Sequence, residues 1–294
     1  MSRAGGRYRV DCGGEVVEAS LRGRMKRGRA RVLVGDEVTL AYQEDGAATI
    51  EGIGPRRSLL RRRSPGRSHG TRPVAANIDQ VVVVGAARDP EWNPLMMDRF
   101  AAVAEANGLP IVVVVNKIDL DPEAESHAVP YRDAGYRVLL VSVEASAGLD
   151  DLAAQLTGKV SLFTGPTGVG KSSLLNALSP GLELRTAEVS KRSRAGRHTT
   201  VSSEMYPIGR DGYVVDTPGL RDIGLWGLDG HEVAAAFPEL ARYGGQCRFN
   251  NCRHREEPGC GVVAAVDRGE LSETRVESYR RLLEEAERAA RPWE

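Results

Sequence analysis

The chain has 294 residues, 41% of them hydrophobic, with 40 Lys+Arg against 40 Asp+Glu. That length suggests two or three domains, and the hydrophobic share is ordinary for a chain that buries a core. Apolar runs such as Ile111 to Val115 are far too short to span a bilayer, and the basic N-terminus lacks the apolar region of a signal peptide, so the expectation is a cytoplasmic protein with no membrane partner.

The first segment, residues 1–68, reads as all-β. Short β-prone pieces, Glu15 to Ala19 and Arg29 to Val34, alternate with turn signals at Gly35-Asp36 and Asp45-Gly46. A small closed barrel fits, either an OB-fold or an SH3-like barrel, and periodicity does not separate them. Charge is uneven here. Residues 1–72 carry 16 Lys+Arg against 8 Asp+Glu, and the remainder carries 24 against 32. A basic N-terminal segment points to a polyanionic partner such as RNA, although a solvated charged face and a generally Arg-rich composition give part of the same signal. Arg56 to Arg63 reads as a basic strand, and Ser64 to Gly70 as a linker.

Residues 69–224 alternate strand and helix. Val81 to Val84 and Ile111 to Val115 are continuous apolar runs, the pattern of parallel strands covered on both faces. Met96, Phe100, Val103 and Ala104 recur at helical spacing between them, and Val138 to Val141 and Val160 to Phe163 read as further strands. The expected class is a doubly wound α/β domain. Residues 225–294 hold a short helical stretch, a Cys/His cluster and a last helix with Val276, Tyr279, Leu282, Leu283 and Ala286 on one face.

The motifs lie on this framework in an unusual order. Asn116-Lys117-Ile118-Asp119 ends a buried strand and reads as a guanine-binding NKxD sequence. Asp119 can accept hydrogen bonds from guanine N1–H and the 2-amino group, which adenine does not offer, and an unpaired buried carboxylate is costly. Asn116 is expected to touch the base edge and brace the loop, and Lys117 to lay its methylene stem along the base. The phosphate loop comes after it: Gly165, Pro166, Thr167, Gly168, Val169, Gly170, Lys171 and Ser172, running into Ser173. Its glycines let consecutive N–H groups face one phosphate concavity, Lys171 would contact the β- and γ-phosphates, and the Ser172 hydroxyl would ligate Mg²⁺. Asp216-Thr-Pro-Gly219 follows. Asp216 would hold Mg²⁺ through water, and the Gly219 N–H would sense the γ-phosphate.

Many GTPases place a water-orienting Gln where this chain has Leu220, so intrinsic turnover is expected to be slow. A substitute lies in Gly196-Arg197-His198-Thr199-Thr200, where the first switch belongs: Thr199 or Thr200 would complete the Mg²⁺ shell, and His198 is near enough to orient water. The competing reading of His198 is an exposed loop histidine. Only residues 220–226 separate Asp216-Thr-Pro-Gly219 from the C-terminal segment, a short path for passing movement of Gly219 onward.

Cys247-x4-Cys252-x-His254-x5-Cys260 supplies three thiolates and one imidazole, the closed ligand set of a structural Zn²⁺ site. Cys12 is remote and reads as a small apolar residue.

The permuted motif order, the 196–200 stretch, Asp216 to Leu220 and the cysteine spacing together resemble the ribosome small-subunit-dependent RsgA (YjeQ) GTPase family over essentially the whole chain. The resemblance implies a circularly permuted P-loop GTPase domain flanked by an N-terminal OB-fold barrel and a C-terminal α-helical zinc-binding domain. It also implies a monomer that hydrolyses GTP to GDP, stimulated by the small ribosomal subunit and its rRNA during late maturation, with His198 catalytic. The chain departs from the usual pattern in two places. The third guanine motif reads Ser142-Val143 rather than Ser-Ala, which leaves Ser142 its backbone contacts to the base. Gly168 stands where potassium-using GTPases carry Asn, so that route to K⁺ activation is not supported. The rival readings are a GTPase acting on tRNA or another structured RNA, and an RNA-binding assembly module with a degenerate GTPase domain. Intact Lys171, Ser172, Asp216 and Asp119 argue against the second.

Overall fold

A computed structural model describes residues 3–4, 7–23, 31–44, 46–63, 71–179, 204–216 and 228–290. Its centre is a six-stranded sheet built from the apolar runs. Strands β8 (Gln80–Ala86), β9 (Ile111–Asn116), β10 (Arg137–Val141), β11 (Val160–Thr164), β12 (Glu204–Ile208) and β13 (Gly212–Asp216) lie in the order β10-β9-β8-β11-β13-β12, all parallel except the β12–β13 hairpin. Alternation along the strands feeds two separate cores. Val81, Val83, Ile111, Val113, Leu162 and Val215 join one, while Val82, Val84, Val112, Val114, Phe163 and Val214 join the other. Helices α1 (Pro94–Ala106), α2 (Ala124–Asp133), α3 (Leu149–Leu156) and α4 (Lys171–Leu178) are the crossovers. The α1 start is encoded locally: Asn93 accepts from the Met96 N–H at 3.0 Å, and Pro94 occupies the first turn.

The N-terminal sheet has strands β1 (Arg3–Ala4), β2 (Arg7–Asp11), β3 (Val16–Leu21), β4 (Val38–Tyr42) and β5 (Ala48–Ile53) in the order β1-β2-β3-β5-β4. The β3–β5 pair is parallel and its neighbours antiparallel, the Greek-key arrangement of an OB-fold. Its core is Tyr8, Val10, Ala19, Val32, Ala48 and Ile50.

Two expectations change here. Of the strand expected at 29–34, residues 31–33 have no regular structure and Val34 makes only an isolated bridge to Ala75, residues 24–30 lying outside the described part. The buried Asp36 side chain accepts the Leu33 N–H at 2.7 Å, so the chain turns instead of extending. The basic strand β6 (Leu59–Arg63) is present, but it pairs antiparallel with β7 (Thr71–Ala76), which the sequence does not announce. Pro73 sits opposite Arg61 beside a register shift, where a missing N–H is tolerated. The expected linker, 64–70, lies outside the described residues.

This ribbon joins the barrel to the α/β sheet. Ala76 N–H donates to Val34 O at 2.9 Å and Asn77 Nδ2 to Gly35 O at 2.9 Å. Gly35 has φ +86°, and a Cβ there would meet the Ala76 carbonyl oxygen at 2.0 Å. The arginines at 56 and 57 are consumed in the same seam. Arg56 grips buried Asp36 through two bonds of 2.6 and 2.8 Å, and Arg57 pairs with Asp79 at 3.0 Å. Farther along, the Tyr213 hydroxyl donates to Asp11 at 2.8 Å; Gly14 N–H and this hydroxyl lower the Asp11 pKa.

Helices α5 (Gly230–Ala235), α6 (Pro238–Gly244), α7 (Gly261–Asp267) and α8 (Glu273–Ala290) form the C-terminal part, with the expected face of α8 buried. Their core includes Ala102 of α1, so this module packs directly on the α/β domain. At the seam Arg275 is 1% exposed. Its guanidinium bonds Asp98 of α1 and Glu239 of α6, the latter at 2.7 Å through Nε, and faces the rings of Tyr131, Tyr136 and Phe237. Burial opposes the Arg275 charge, but the two carboxylates outweigh it and its pKa rises. Among the described residues no helix is long and apolar enough to cross a membrane. Replacing Asp98 with Ala leaves the buried guanidinium half-compensated, and urea unfolding should register a loss of about 3–5 kcal/mol.

Candidate functional site

The carboxyl ends of β9, β10 and β11 converge, and the loops leaving them hold most of the motif residues. The phosphate loop leaves β11 at Gly165, where φ is +139° and a Cβ would meet the Val84 carbonyl oxygen at 2.0 Å. Only glycine lets the chain pass this close to β8. Gly168 and Gly170 also have positive φ, +86° and +93°. The loop then runs into α4, whose first residue is Lys171, so Ser172 and Ser173 lie in the first turn of a helix and the helix N-terminus faces the loop concavity. The Lys171 ammonium donates to the carbonyls of Gly165 and Pro166 at 2.7 and 2.6 Å, which arches the side chain back over the loop. Val169 points into the core at 1% exposure and anchors the loop from below, while Thr167 is exposed.

The guanine motif is braced against this loop. Buried Asn116 donates from Nδ2 to the Val169 carbonyl at 2.8 Å. A Cβ on Gly170 would fall 2.4 Å from the same amide nitrogen, so this contact and the third glycine require one another. Lys117 takes a left-handed backbone conformation, φ +60°, and its ammonium donates to Gly168 O at 3.0 Å and to Asp89 O. Its stem therefore spans from the guanine loop to the phosphate loop, as a base-covering stem would. Asp119, in the tight turn Ile118–Leu120, accepts a hydrogen bond from the Ser142 hydroxyl. Ser142 is fully buried after β10, and its Oγ also accepts the Ala145 N–H at 3.0 Å. Sequence reasoning assigned Ser142 backbone contacts and missed this side-chain role. A hydroxyl one residue beyond a strand end was the available signal.

The structure thus brings Asn116, Lys117, Asp119, Ser142 and residues 165–173 together. His198, Thr199, Thr200 and Gly219 lie outside the described residues. So does the Asp216 side chain, although its backbone closes β13, next to β11 at the same edge of the sheet.

A second cluster sits in the C-terminal module. One ligand atom from each of Cys247, Cys252, His254 and Cys260 lies within 4.8 Å of all the others. Cys247 Sγ and Cys260 Sγ are 3.9 Å apart, and His254 Nδ1 is 3.5 and 3.4 Å from them. Tetrahedral zinc, with Zn–S of about 2.3 Å and Zn–N of about 2.0 Å, gives S···S edges of about 3.8 Å and S···N edges of about 3.5 Å. The cluster therefore fits a four-coordinate metal bound through Nδ1. Burial lowers the His254 pKa, which favours the neutral imidazole a metal needs, and pushes the Cys252 thiol up to about 12, a cost that a bound cation offsets. Around it, Glu257 accepts the N–H groups of Arg253 and Arg255 at 2.8 Å each, and Arg280 donates to His254 O at 2.8 Å. Exposed Cys12 takes no part.

The sequence model of the RsgA GTPase family matches residues 53–226. The chain belongs to the RsgA GTPase family. Among its relatives, the small ribosomal subunit biogenesis GTPase RsgA of Gemmatimonas aurantiaca is 47% identical, covering 92% of this chain and 91% of the relative. The protein of that name from Moorella thermoacetica is 41% identical over 97% and 95%. YjeQ from Thermotoga maritima superposes with a TM-score of 0.75 at 33% identity, over 95% of this chain and 93% of its own. YloQ, described as a circularly permuted GTPase, gives 0.74 at 30% identity over 98% and 94%. The permutation is visible in this RsgA family member itself: the strands carrying the guanine motifs, β9 and β10, precede the phosphate-loop strand in the chain yet flank the same edge of the sheet.

Gly170→Ala sets a side chain against Asn116 at a positive φ. Fluorescent-nucleotide titration should show GDP affinity lowered about tenfold to a hundredfold, and thermal melting should show a drop of a few degrees from the backbone strain of about 1–3 kcal/mol.

Proposed function

We propose that this protein is a GTP phosphohydrolase that binds the small ribosomal subunit and acts late in its maturation, with hydrolysis stimulated by the subunit. The observation that carries the nucleotide half is the span of Lys117 from the guanine loop to Gly168 of the phosphate loop, beside Asp119 and Ser142. The partner rests on the names of relatives that match over nearly the whole chain. A cytoplasmic monomer is part of the reading.

The site residues divide the work. Asp119, oriented by Ser142, selects guanine, and Asn116 and Lys117 hold the base plane. The backbone N–H groups of residues 167–173 and the Lys171 ammonium carry the phosphate charge as it moves to the leaving group, with Gly165 and Pro166 shaping the start of the loop. Bound Mg²⁺ supplies charge neutralisation at the β- and γ-phosphates, and Ser172 and Asp216, with Thr199 or Thr200, are the residues that would hold it. Leu220 offers no hydrogen bond to water, so His198 is assigned the water-orienting role, with Gly219 reading the γ-phosphate. Residues 1–68 form the OB-fold rRNA-binding unit, 69–224 the permuted GTPase unit and 225–294 the zinc-binding unit; the β6–β7 ribbon straddles the first boundary. Cys247, Cys252, His254 and Cys260 are the residues that would hold one structural Zn²⁺ per chain.

Purified protein should hydrolyse GTP slowly alone and far faster with small subunits, with large subunits and tRNA as controls. Equal rates with all of them would refute the partner assignment. His198→Ala should cut the stimulated kcat about 10²- to 10⁴-fold while subunit binding persists. Elemental analysis should return one zinc per chain, and Cys252→Ala should lower that content and the hydrogen-exchange protection of the C-terminal module.

A further inference from the structure

We propose that Arg275, in the C-terminal helix and outside the GTPase fold, is a positioning residue for guanine recognition. This inference rests on the guanine-site reading above and assigns it a residue from another part of the molecule.

The two guanine loops share one anchor. Asp119 precedes α2, which begins at Ala124, and Ser142 directly follows β10, which ends at Val141. The far end of α2 holds buried Tyr131, and the start of β10 is preceded by Tyr136; the Tyr136 N–H closes the turn between them on Tyr131 O at 2.9 Å. The Arg275 guanidinium lies over both rings, 5.3 Å from the Tyr131 centroid and 5.6 Å from that of Tyr136. Both guanine loops therefore hang from one stiff helix–turn–strand unit, and the opposite end of that unit rests on Arg275. The Asp119–Ser142 hydrogen bond joins the two loop tips, so it depends on the register that this unit keeps.

Arg275 is itself held firmly. Asp98 and Glu239 are both almost wholly buried, at 0% and 3% exposure, and each sends a carboxylate to it. Among the described residues, Asp98 Oδ2 and Glu239 Oε2 have no hydrogen-bond partner, and the planar guanidinium bonds the other oxygen of each acid, which holds the two carboxylates apart. A lysine ammonium carries the charge without the fork. Displacing the C-terminal module would draw on α1, α2 and the turn before β10 together. This is a connection to the guanine half of the site, separate from the covalent path through residues 220–226 to the switch half.

The test compares GDP with inosine diphosphate. The latter lacks the 2-amino group but keeps N1–H and the phosphates, so the ratio of their affinities isolates the 2-amino half of the Asp119 contact. Arg275→Lys is expected to narrow the GDP-to-IDP affinity ratio about fivefold, with IDP affinity falling by less than GDP affinity because only one of its two bonds to Asp119 is present. Tyr136→Leu removes one ring beneath the guanidinium, leaves the three charges intact, and should narrow the ratio in the same direction. It carries the test if the lysine variant does not fold, folding being judged by thermal melting. An unchanged ratio in a folded variant, or an equal loss of both affinities, overturns the proposal. A wild-type protein that bound ADP as tightly as GDP would instead overturn the guanine-site reading, and this inference with it.

Discussion

Burial of both faces of the central sheet is the constraint on which the rest depends. Strands β8 and β9 turn one set of valines into each of two cores, so neither face has room for a polar ligand site. Polar chemistry is confined to the edge where the strands end and backbone groups emerge unpaired. There the loops can brace one another, and they do so through few bonds: Asn116 to Val169, Lys117 to Gly168, and Ser142 to Asp119. Each bond connects loops far apart in sequence. The motif order along the chain is therefore free to permute, provided each strand keeps its place in the sheet.

The flanking parts are attached with charge, and this alters how the arginines are read. Arg56 and Arg57 fall in the densest basic stretch, yet both spend their guanidiniums on Asp36 and Asp79 at the seam between barrel and sheet. Arg253 and Arg255 of the Cys/His-cluster loop both pair with Glu287. A basic run overstates the phosphate-binding capacity of a surface when its members hold the molecule together. What remains for a polyanion among the described residues is a smaller set, Arg61 and Arg72 of the β6–β7 ribbon among them.

The C-terminal module is held by the opposite kind of arrangement. Surface pairs contribute little each, whereas Arg275 with Asp98 and Glu239 is out of water and its loss would strand two charges. Such a cluster offers less net stability than an apolar core of the same volume, but it tolerates few geometries. Helix α8 carries that rigidity to the Cys/His cluster, where Arg280 holds the carbonyl of His254. The Cys/His cluster, the buried ion triad and the guanine-motif loops thus share one continuous scaffold.

The sequence by itself determined the motifs, their permuted order, the alternation that makes the central sheet, the apolar face of α8 and the cysteine–histidine set. All of these are local patterns: spacing within a loop, period along a strand or helix, ligand types a few residues apart. Tertiary structure alone decided what each side chain meets. Strand β7 carries a proline and little β-propensity and exists because β6 pairs with it. The sheet order of an OB-fold rather than an SH3-like barrel depends on the parallel β3–β5 pairing, which no periodicity encodes. The Ser142 hydroxyl on Asp119, Arg56 on Asp36 and Arg275 on Asp98 join residues 23, 20 and 177 positions apart. Hydrogen bonds and ion pairs act over a few ångströms of space, and only the folded chain says which groups come that close.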